Sequence, residues 1–78
     1  METEPTLVNF EYALGALKEG CRMRRRGWNG LGQYVQMQQP TERSKMTAPY
    51  CYLHNTQGGL VPWVPSQGDL FADDWELA

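Results

Sequence analysis

The chain has 78 residues, a formal net charge of −2 at pH 7 and an isoelectric point of about 5.2. This acidic balance argues against a protein that binds long nucleic acids through a broad basic surface. No apolar run approaches the roughly 20 residues of a membrane span, so no contact with a membrane is expected. The acidic residues 1–5 also lack the features of a signal peptide. We therefore expect one domain over residues 1–78, located in the cytoplasm.

A core of this size is small and needs additional support. A chain of this length buries only about 60% of its unfolded surface, and such folds rely on disulfides, a metal or an oligomer interface. Cys21 and Cys51 allow one disulfide, but we favour two reduced, buried thiols. With His54 as the single histidine, neither a zinc site nor another cofactor is expected. Self-association is then the expected source of further buried area.

The N-terminal region predicts a helix. After a polar tail over residues 1–7, Asn9 is placed to cap a helix over 9–19. Gly20 supplies a left-handed stop at its C-terminal end. The predicted apolar stripe has helical spacing and consists of Phe10, Ala13, Leu14 and Leu17.

The rest of the chain predicts a small antiparallel sheet. A polar, proline-bounded segment over 39–49 predicts a mobile connection, and Pro62 places the fourth strand at a sheet edge. Ser66 precedes a single helical turn over 69–72. Since the helix must bury its apolar stripe, the fold class is α+β, with the N-terminal helix on a sheet of four to five strands. Strands are predicted over 21–26, 34–38, 50–54, 60–64 and 73–77, the first two paired as a hairpin.

The most distinctive stretch is 24–30, which reads Arg-Arg-Arg-Gly-Trp-Asn-Gly. Arginine suits phosphate, an indole suits stacking on a base, and Asn-Gly favours a tight turn. Because Trp28 follows Arg26 by two residues, an extended backbone would project both side chains to one face. The stretch therefore indicates a surface for a nucleotide base and phosphate. The alternative is a solvated arginine face beside a Trp28 that packs in the core.

Residues that could carry catalysis are few. His54 lacks an oriented partner, so it is not expected to activate a nucleophile. Asp73 and Asp74 would point to opposite faces of an extended segment. They are expected to be solvated rather than to form an acid–base pair or, with Asp69, a cation site. The sequence therefore predicts binding without catalysis, with no catalytic residue and no metal ligand.

Binding without catalysis needs flat aromatic surfaces, a few hydrogen-bonding groups and an anion grip in a concave site. Trp75 is expected in the core instead, because its strand neighbour Leu77 is also apolar and shares its face. Core packing is also the alternative for Trp63. The candidate surfaces are Trp28, Trp63, Tyr34, Tyr50 and Tyr52, and the nearest anion grip is Arg26. The candidates to bind ribose hydroxyls or base edges are Asn29, Ser66, Gln67 and Asp69.

Three blocks of the sequence, in this order, resemble a known phage family. They are the helix 10–20, the segment 26–30 and the segment 61–75, which reads Val-Pro-Trp-x-x-Ser-Gln-x-Asp-Leu-x-Ala-x-Asp-Trp. The chain is similar to the small Thoeris anti-defence proteins, the second of two families of sponges for immune signalling nucleotides. The likeness covers residues 8–77 apart from 39–49. The ligand-binding residues that the resemblance implies are Arg26, Trp28, Asn29, Trp63, Ser66, Gln67 and Asp69.

The resemblance implies a phage protein that sequesters a cyclic ADP-ribose isomer in the host cytoplasm without degrading it, and so blocks Thoeris signalling. It also implies a homotetramer with pockets between protomers. Two positions depart from the family pattern, because Leu31 replaces a common Lys and Gly68 replaces a common Thr. Arg24 and Arg25 are the candidates to supply the missing charge.

Other functions stay open at this point. Some members of the family bind cyclic dinucleotides, so a sponge for these ligands is one alternative. An RNA- or DNA-binding module would use the arginine run, although the acidic isoelectric point counts against it. A structural or host-protein-binding phage protein would need no small ligand.

Overall fold

The computed structural model describes residues 6–78, in which one helix packs on a five-stranded antiparallel sheet. The elements in chain order are α1 (Phe10–Lys18), β1 (Met23–Arg25), β2 (Tyr34–Gln38), β3 (Tyr50–His54), β4 (Leu60–Pro62), α2 (Gln67–Leu70) and β5 (Trp75–Leu77). Their order across the sheet is β4-β3-β2-β1-β5. The predicted α+β fold, with its N-terminal helix and small antiparallel sheet, is confirmed.

Helix α1 begins and ends as its sequence predicts. The Asn9 side chain accepts a hydrogen bond of 3.1 Å from the backbone N–H of Tyr12, which satisfies one free donor of the first turn. Ala13 and Leu17 are fully buried against the sheet. Leu14 is 37% exposed, so its predicted place in the buried stripe is wrong. Ala16 packs against the core instead.

The sheet keeps the predicted strand order along the chain but shortens most strands. β1 and β2 pair as predicted, with Met23 opposite Val35, yet residues 26–33 join them rather than a two-residue turn. Strand β5 returns to pair with β1. β4 lies at a sheet edge, as Pro62 predicts, because proline cannot donate to a second neighbour.

The short helix α2 starts two residues before the predicted turn over 69–72. Ser66 caps it as predicted, and Asp69 completes the cap: the Ser66 hydroxyl accepts from the Asp69 N–H, and the Asp69 carboxylate accepts from the Ser66 N–H. This reciprocal pair fixes the start of the helix at Gln67.

The core is small and centred on Trp75. Its fully buried or nearly buried apolar residues are Ala13, Leu17, Met23, Val35 and Trp75. Around Trp75 lie the rings of Phe10, Trp28 and Trp63, at centroid distances of 5.5, 5.3 and 5.9 Å. These four rings form what we call the aromatic cluster.

The cluster confirms the core assignment of Trp75. Leu77, which was predicted to share its inward face, is 66% exposed. Cys21 and Cys51 are free and half-buried against the core.

Two segments that were predicted to be irregular lie outside the helices and strands. The predicted tail 1–7 lies largely outside the described residues, and Thr6 and Leu7 are exposed. Residues 39–49 contain only turns and bends, and their mobility stays a prediction. Within residues 6–78, neither helix has the length and apolar character needed to cross a bilayer.

Candidate functional site

The end of β1 is held by an arginine that bridges two carboxylates. The Arg25 Nε atom donates to Asp74 Oδ1 at 2.9 Å, and its Nη1 atom donates to Asp69 Oδ1 at 3.0 Å. Asp74 was expected to be solvated together with Asp73, and this is wrong for Asp74, which lies beside β1 because β5 pairs there. Asp73 is exposed. The chain thus places one cation between α2 and the start of β5.

These contacts change the acid–base behaviour of all three groups. Hydrogen bonding to Asp74, and then to Asp69, raises the pKa of Arg25 against the opposing effect of its burial. Burial is the largest single influence on Asp69 and favours its neutral form, but hydrogen bonds from Ser66, Arg25 and Trp28 together hold its pKa below the usual value. The pKa of Asp74 is lowered in the same way, by Arg25 and the Gly27 N–H acting against burial.

Immediately after β1, the chain turns and brings Trp28 onto the aromatic cluster. The Trp28 N–H donates to the Arg25 carbonyl at 3.1 Å, which closes the turn. The Trp28 indole Nε1–H then donates to Asp69 Oδ1 at 3.3 Å. The ring meets Trp75 edge-on, at an interplanar angle of 76°. Trp28 therefore has a structural role as well as a half-exposed surface.

Arg26 and Trp28 bond to different carboxylates. Arg24 Nε and Arg26 Nη2 each donate to Glu76, at 3.2 Å in both cases, and Glu76 is only 6% exposed. Glu76 follows Trp75 in β5 and so faces the opposite side of the sheet. The predicted extended backbone through Arg26 and Trp28 is wrong, because β1 ends at Arg25 and a turn follows.

Two open cavities share Trp28 as a lining residue. The first, which we call the arginine cavity, has a volume of about 220 Å³; the second, the tryptophan cavity, has about 210 Å³. The arginine cavity is lined by Arg24, Arg25, Arg26, Trp28, Gly30, Leu31, Gly32, Gln33 and Glu76. The tryptophan cavity is lined by Trp28, Asn29, Gln33, Leu53, Trp63 and Asp69.

The structure distributes the predicted ligand-binding residues unevenly between these cavities. Arg26 lies in the arginine cavity, Asn29, Trp63 and Asp69 lie in the tryptophan cavity, and Trp28 belongs to both. Ser66 and Gln67 line neither cavity: the Ser66 hydroxyl caps α2, and Gln67 is exposed.

Sequence reasoning missed Gln33, Leu53 and Glu76 as lining residues. The position of Gln33 in the sequence could have indicated its role, because an amide side chain directly after a glycine-rich turn can hydrogen-bond to that turn. Its side chain does donate to the Asn29 carbonyl.

Arg24 and Arg25 are the candidates to supply the charge of the lysine that is common at position 31 in the family. They differ in how exposed their side chains are and in how many carboxylates they contact. The Arg25 side chain is 24% exposed and bonded to two carboxylates, whereas the Arg24 side chain is 47% exposed and bonded to one. Leu31 is 94% exposed at the rim of the arginine cavity. The departure at Leu31 thus makes this rim apolar where a lysine would make it cationic.

His54 lies in a setting typical of a structural histidine. Its ring stacks on Tyr34 at a centroid distance of 4.7 Å, and its Nδ1 atom lies 2.9 Å from the Gly32 carbonyl oxygen. The other side of Tyr34 carries the Arg22 guanidinium, 4.5 Å from the ring centroid. The hydrogen-bond partner of His54 is therefore a backbone carbonyl and not the hydroxyl or thiol of a nucleophile.

Comparison with known proteins places the whole described fold in one family. Residues 8–78 match the family described as Tad2-like, the Thoeris anti-defense 2-like domain. The chain is also similar to a Bacillus phage SP01 protein named Thoeris anti-defense 2, with 25% identity over 85 residues that cover 92% of this chain and 96% of the relative. Membership of this family supports an anti-defence role in a phage. The chain therefore belongs to the Thoeris anti-defense 2-like family.

Proposed function

We propose that this protein binds and sequesters a cyclic nucleotide immune signal, a cyclic ADP-ribose isomer, without degrading it, and that it thereby blocks host Thoeris signalling. The observation that carries the proposal is the position of Trp28. Trp28 lines both a cavity with exposed guanidinium groups and a cavity with aromatic and amide groups. A nucleotide that carries both a base and phosphates matches these two chemistries.

The arginine cavity supplies the anion grip. Arg24 and Arg26 each spend one hydrogen bond on Glu76, and about half of each side chain stays exposed. A guanidinium group has five N–H donors, so both arginines retain donors for a phosphate. Glu76 fixes the two groups on one side of the cavity and lowers the net positive charge there.

The tryptophan cavity supplies the base and ribose contacts. Trp28 and Trp63 provide flat surfaces, while the Asn29 side chain provides both a donor and an acceptor. The Trp28 edge is fixed by Trp75 and Asp69, so its exposed surface loses little conformational freedom when a ligand binds.

The size of the cavities supports a shared site and a homotetramer. Each measures about 210–220 Å³, whereas ligand sites typically measure about 300–1,000 Å³. A second copy of the chain would complete the walls. The core is also small for a stable monomer, and large apolar side chains are exposed at Tyr12, Leu31, Met46, Leu60, Val64, Phe71 and Leu77.

Sequestration is favoured over turnover by the setting of His54. Its Nδ1 atom meets the Gly32 carbonyl, and its ring stacks on Tyr34. A histidine that acts as a general acid or base must lie within hydrogen-bonding reach of the nucleophile or leaving group. A captured signal would therefore be released intact.

Binding and degradation are tested on the same samples. Isothermal titration calorimetry against cyclic ADP-ribose isomers and cyclic dinucleotides should give saturable binding of an ADP-ribose isomer. Ligand recovered by heat denaturation should be unchanged by chromatography. Strongest binding of a cyclic dinucleotide would favour the alternative sponge, and a cleaved product would contradict sequestration.

A matched pair of variants locates the site. Arg26→Ala removes one phosphate donor and should weaken binding about tenfold or more. Arg43→Ala removes an exposed arginine from the connection 39–49 and should leave binding unchanged. Equal losses in both variants would show that only the overall charge matters, and that the arginine cavity is not the site.

A further inference from the structure

We propose that Arg25 is a positioning residue: through Asp69 and Asp74, it sets the orientation of the Trp28 indole in the ligand site. The proposal rests on the proposed function for its effect on affinity, but its structural part stands on the hydrogen bonds around Arg25. It assigns Asp69 and Ser66 to the support of the site, rather than to direct contact with the ligand.

The hydrogen bonds form closed circuits around the turn after β1. Arg25 reaches Asp74 through Nε and Asp69 through Nη1. Asp74 then accepts from the Gly27 N–H through its other oxygen, at 2.8 Å. Asp69 accepts from the Trp28 indole Nε1–H through the same oxygen that Arg25 contacts. Both ends of the turn are therefore held by carboxylates that one guanidinium orients.

Asp69 is itself held by several hydrogen bonds. Its Oδ2 atom accepts from the Ser66 N–H, and its backbone carbonyl accepts from the Trp75 indole at 2.9 Å. A carboxylate offers about four acceptor positions, of which Arg25, Trp28 and Ser66 occupy three. Asp69 is also only 8% exposed. These contacts favour an anchor for Trp28 over a group that reads a ribose hydroxyl.

At Gly27 the turn approaches Asp74 closely. A Cβ atom at position 27 would lie 2.9 Å from Asp74 Oδ2, so the carboxylate would have to shift away from its present position. The glycine lets the backbone N–H reach the carboxylate. Arginine suits the opposite side of the circuit because its rigid, planar fork can orient two carboxylates, whereas lysine is a single flexible point charge.

The test compares Arg25→Lys with Arg43→Lys, a matched change at an exposed arginine. Three quantities are measured: the dissociation constant of the nucleotide that the wild type binds, the melting temperature, and the indole N–H resonances in a ¹⁵N spectrum. Arg25→Lys should shift or broaden the Trp28 indole resonance in the free protein and keep that of Trp63. It should also raise the dissociation constant of the nucleotide about tenfold, measured at a temperature where the protein is folded.

Asp74→Asn is a second variant, which tests the positioning of Trp28 if Arg25→Lys fails to fold. It retains Asp69 and Arg25 but weakens the hold on Gly27, and it should displace the Trp28 resonance and weaken binding in the same direction. An unchanged Trp28 resonance, or wild-type affinity in a folded variant, would overturn the positioning role. A wild type that binds no nucleotide would overturn the proposed function only, because the indole resonance reports on Trp28 without ligand.

Discussion

Replacing Trp28 by phenylalanine or alanine separates its structural contacts from its proposed ligand contact. Trp28→Phe keeps an aromatic ring against Trp75. It removes the 3.3 Å hydrogen bond that the Trp28 Nε1–H donates to Asp69. Asp69 keeps its bonds to Arg25 and Ser66, so no buried charge is left without partners. We expect a cost of about 1–2 kcal/mol in the free energy of unfolding.

Such a cost is large for this chain. At about 0.05–0.15 kcal/mol per residue, its free energy of unfolding should be about 4–12 kcal/mol. Each kcal/mol shifts the melting temperature of a domain this size by about 4–8 °C, so Trp28→Phe should lower it by about 4–16 °C. Affinity should fall less than about fivefold, because a phenyl ring still offers a face for stacking.

Trp28→Ala removes the stacking surface as well. Since Trp28 is half-exposed, its stability cost should lie near 3 kcal/mol, the lower end of the range for large aromatic truncations. Loss of one stacked base costs about 1–3 kcal/mol of binding, which is roughly tenfold to a hundredfold in affinity. The two variants should therefore have graded stabilities but clearly different affinities.

The assay is thermal melting and nucleotide titration of each variant at one protein concentration, since association shifts melting temperatures. Trp63→Phe is the matched control: Trp63 contacts the same Trp75 ring and makes no hydrogen bond from its Nε1 within residues 6–78. It should lower the melting temperature less than Trp28→Phe does. A folded Trp28→Ala protein with wild-type affinity would refute the ligand contact and leave Trp28 a purely structural residue.

Three further predictions follow from the same contacts. Light scattering at micromolar concentration should give a mass well above the 8.9 kDa of one chain, and a monomer would contradict the shared pocket. His54→Ala should change nucleotide affinity less than about twofold, since that ring stacks on Tyr34; a large loss would place it in the site. The lowered pKa values of Asp69 and Asp74 should stabilise the fold above the unfolded value of about 3.9, with this contribution lost as pH falls towards the folded values. Asp74→Asn should reduce the fall in melting temperature as the pH is lowered, whereas the exposed Asp73→Asn should not. An equal fall in melting temperature with pH in both variants would contradict the role of Asp74.

Local patterns predicted the elements because their causes are local. The Asn9 cap, the apolar spacing of α1 and the Ser66 cap each involve residues within three or four positions of one another. Alternation likewise indicated the strands, although their ends contracted where turns and proline interrupt pairing. The family blocks could also be found by sequence, since residues 8–78 match as a whole.

The site depended on contacts that local patterns do not encode. Leu14 has helical spacing like Leu17, yet only Leu17 is fully buried, because burial depends on how the helix is oriented on the sheet. Arg26 and Trp28 are two residues apart, yet the turn after Arg25 gives them different partners, Glu76 and Asp69.

The sequence by itself determined the helix, the five strands, their antiparallel class and the family. The tertiary structure decided the pairing of β5 with β1, and with it the partners of the arginine run. Arg25 lies 44 residues from Asp69 and 49 from Asp74. Charges this far apart in the chain meet only when strand register brings them together, and alternation alone leaves the choice of neighbouring strand undetermined. For that reason Asp74 looked like a solvated carboxylate in the sequence and became a support of the Trp28 turn in the fold.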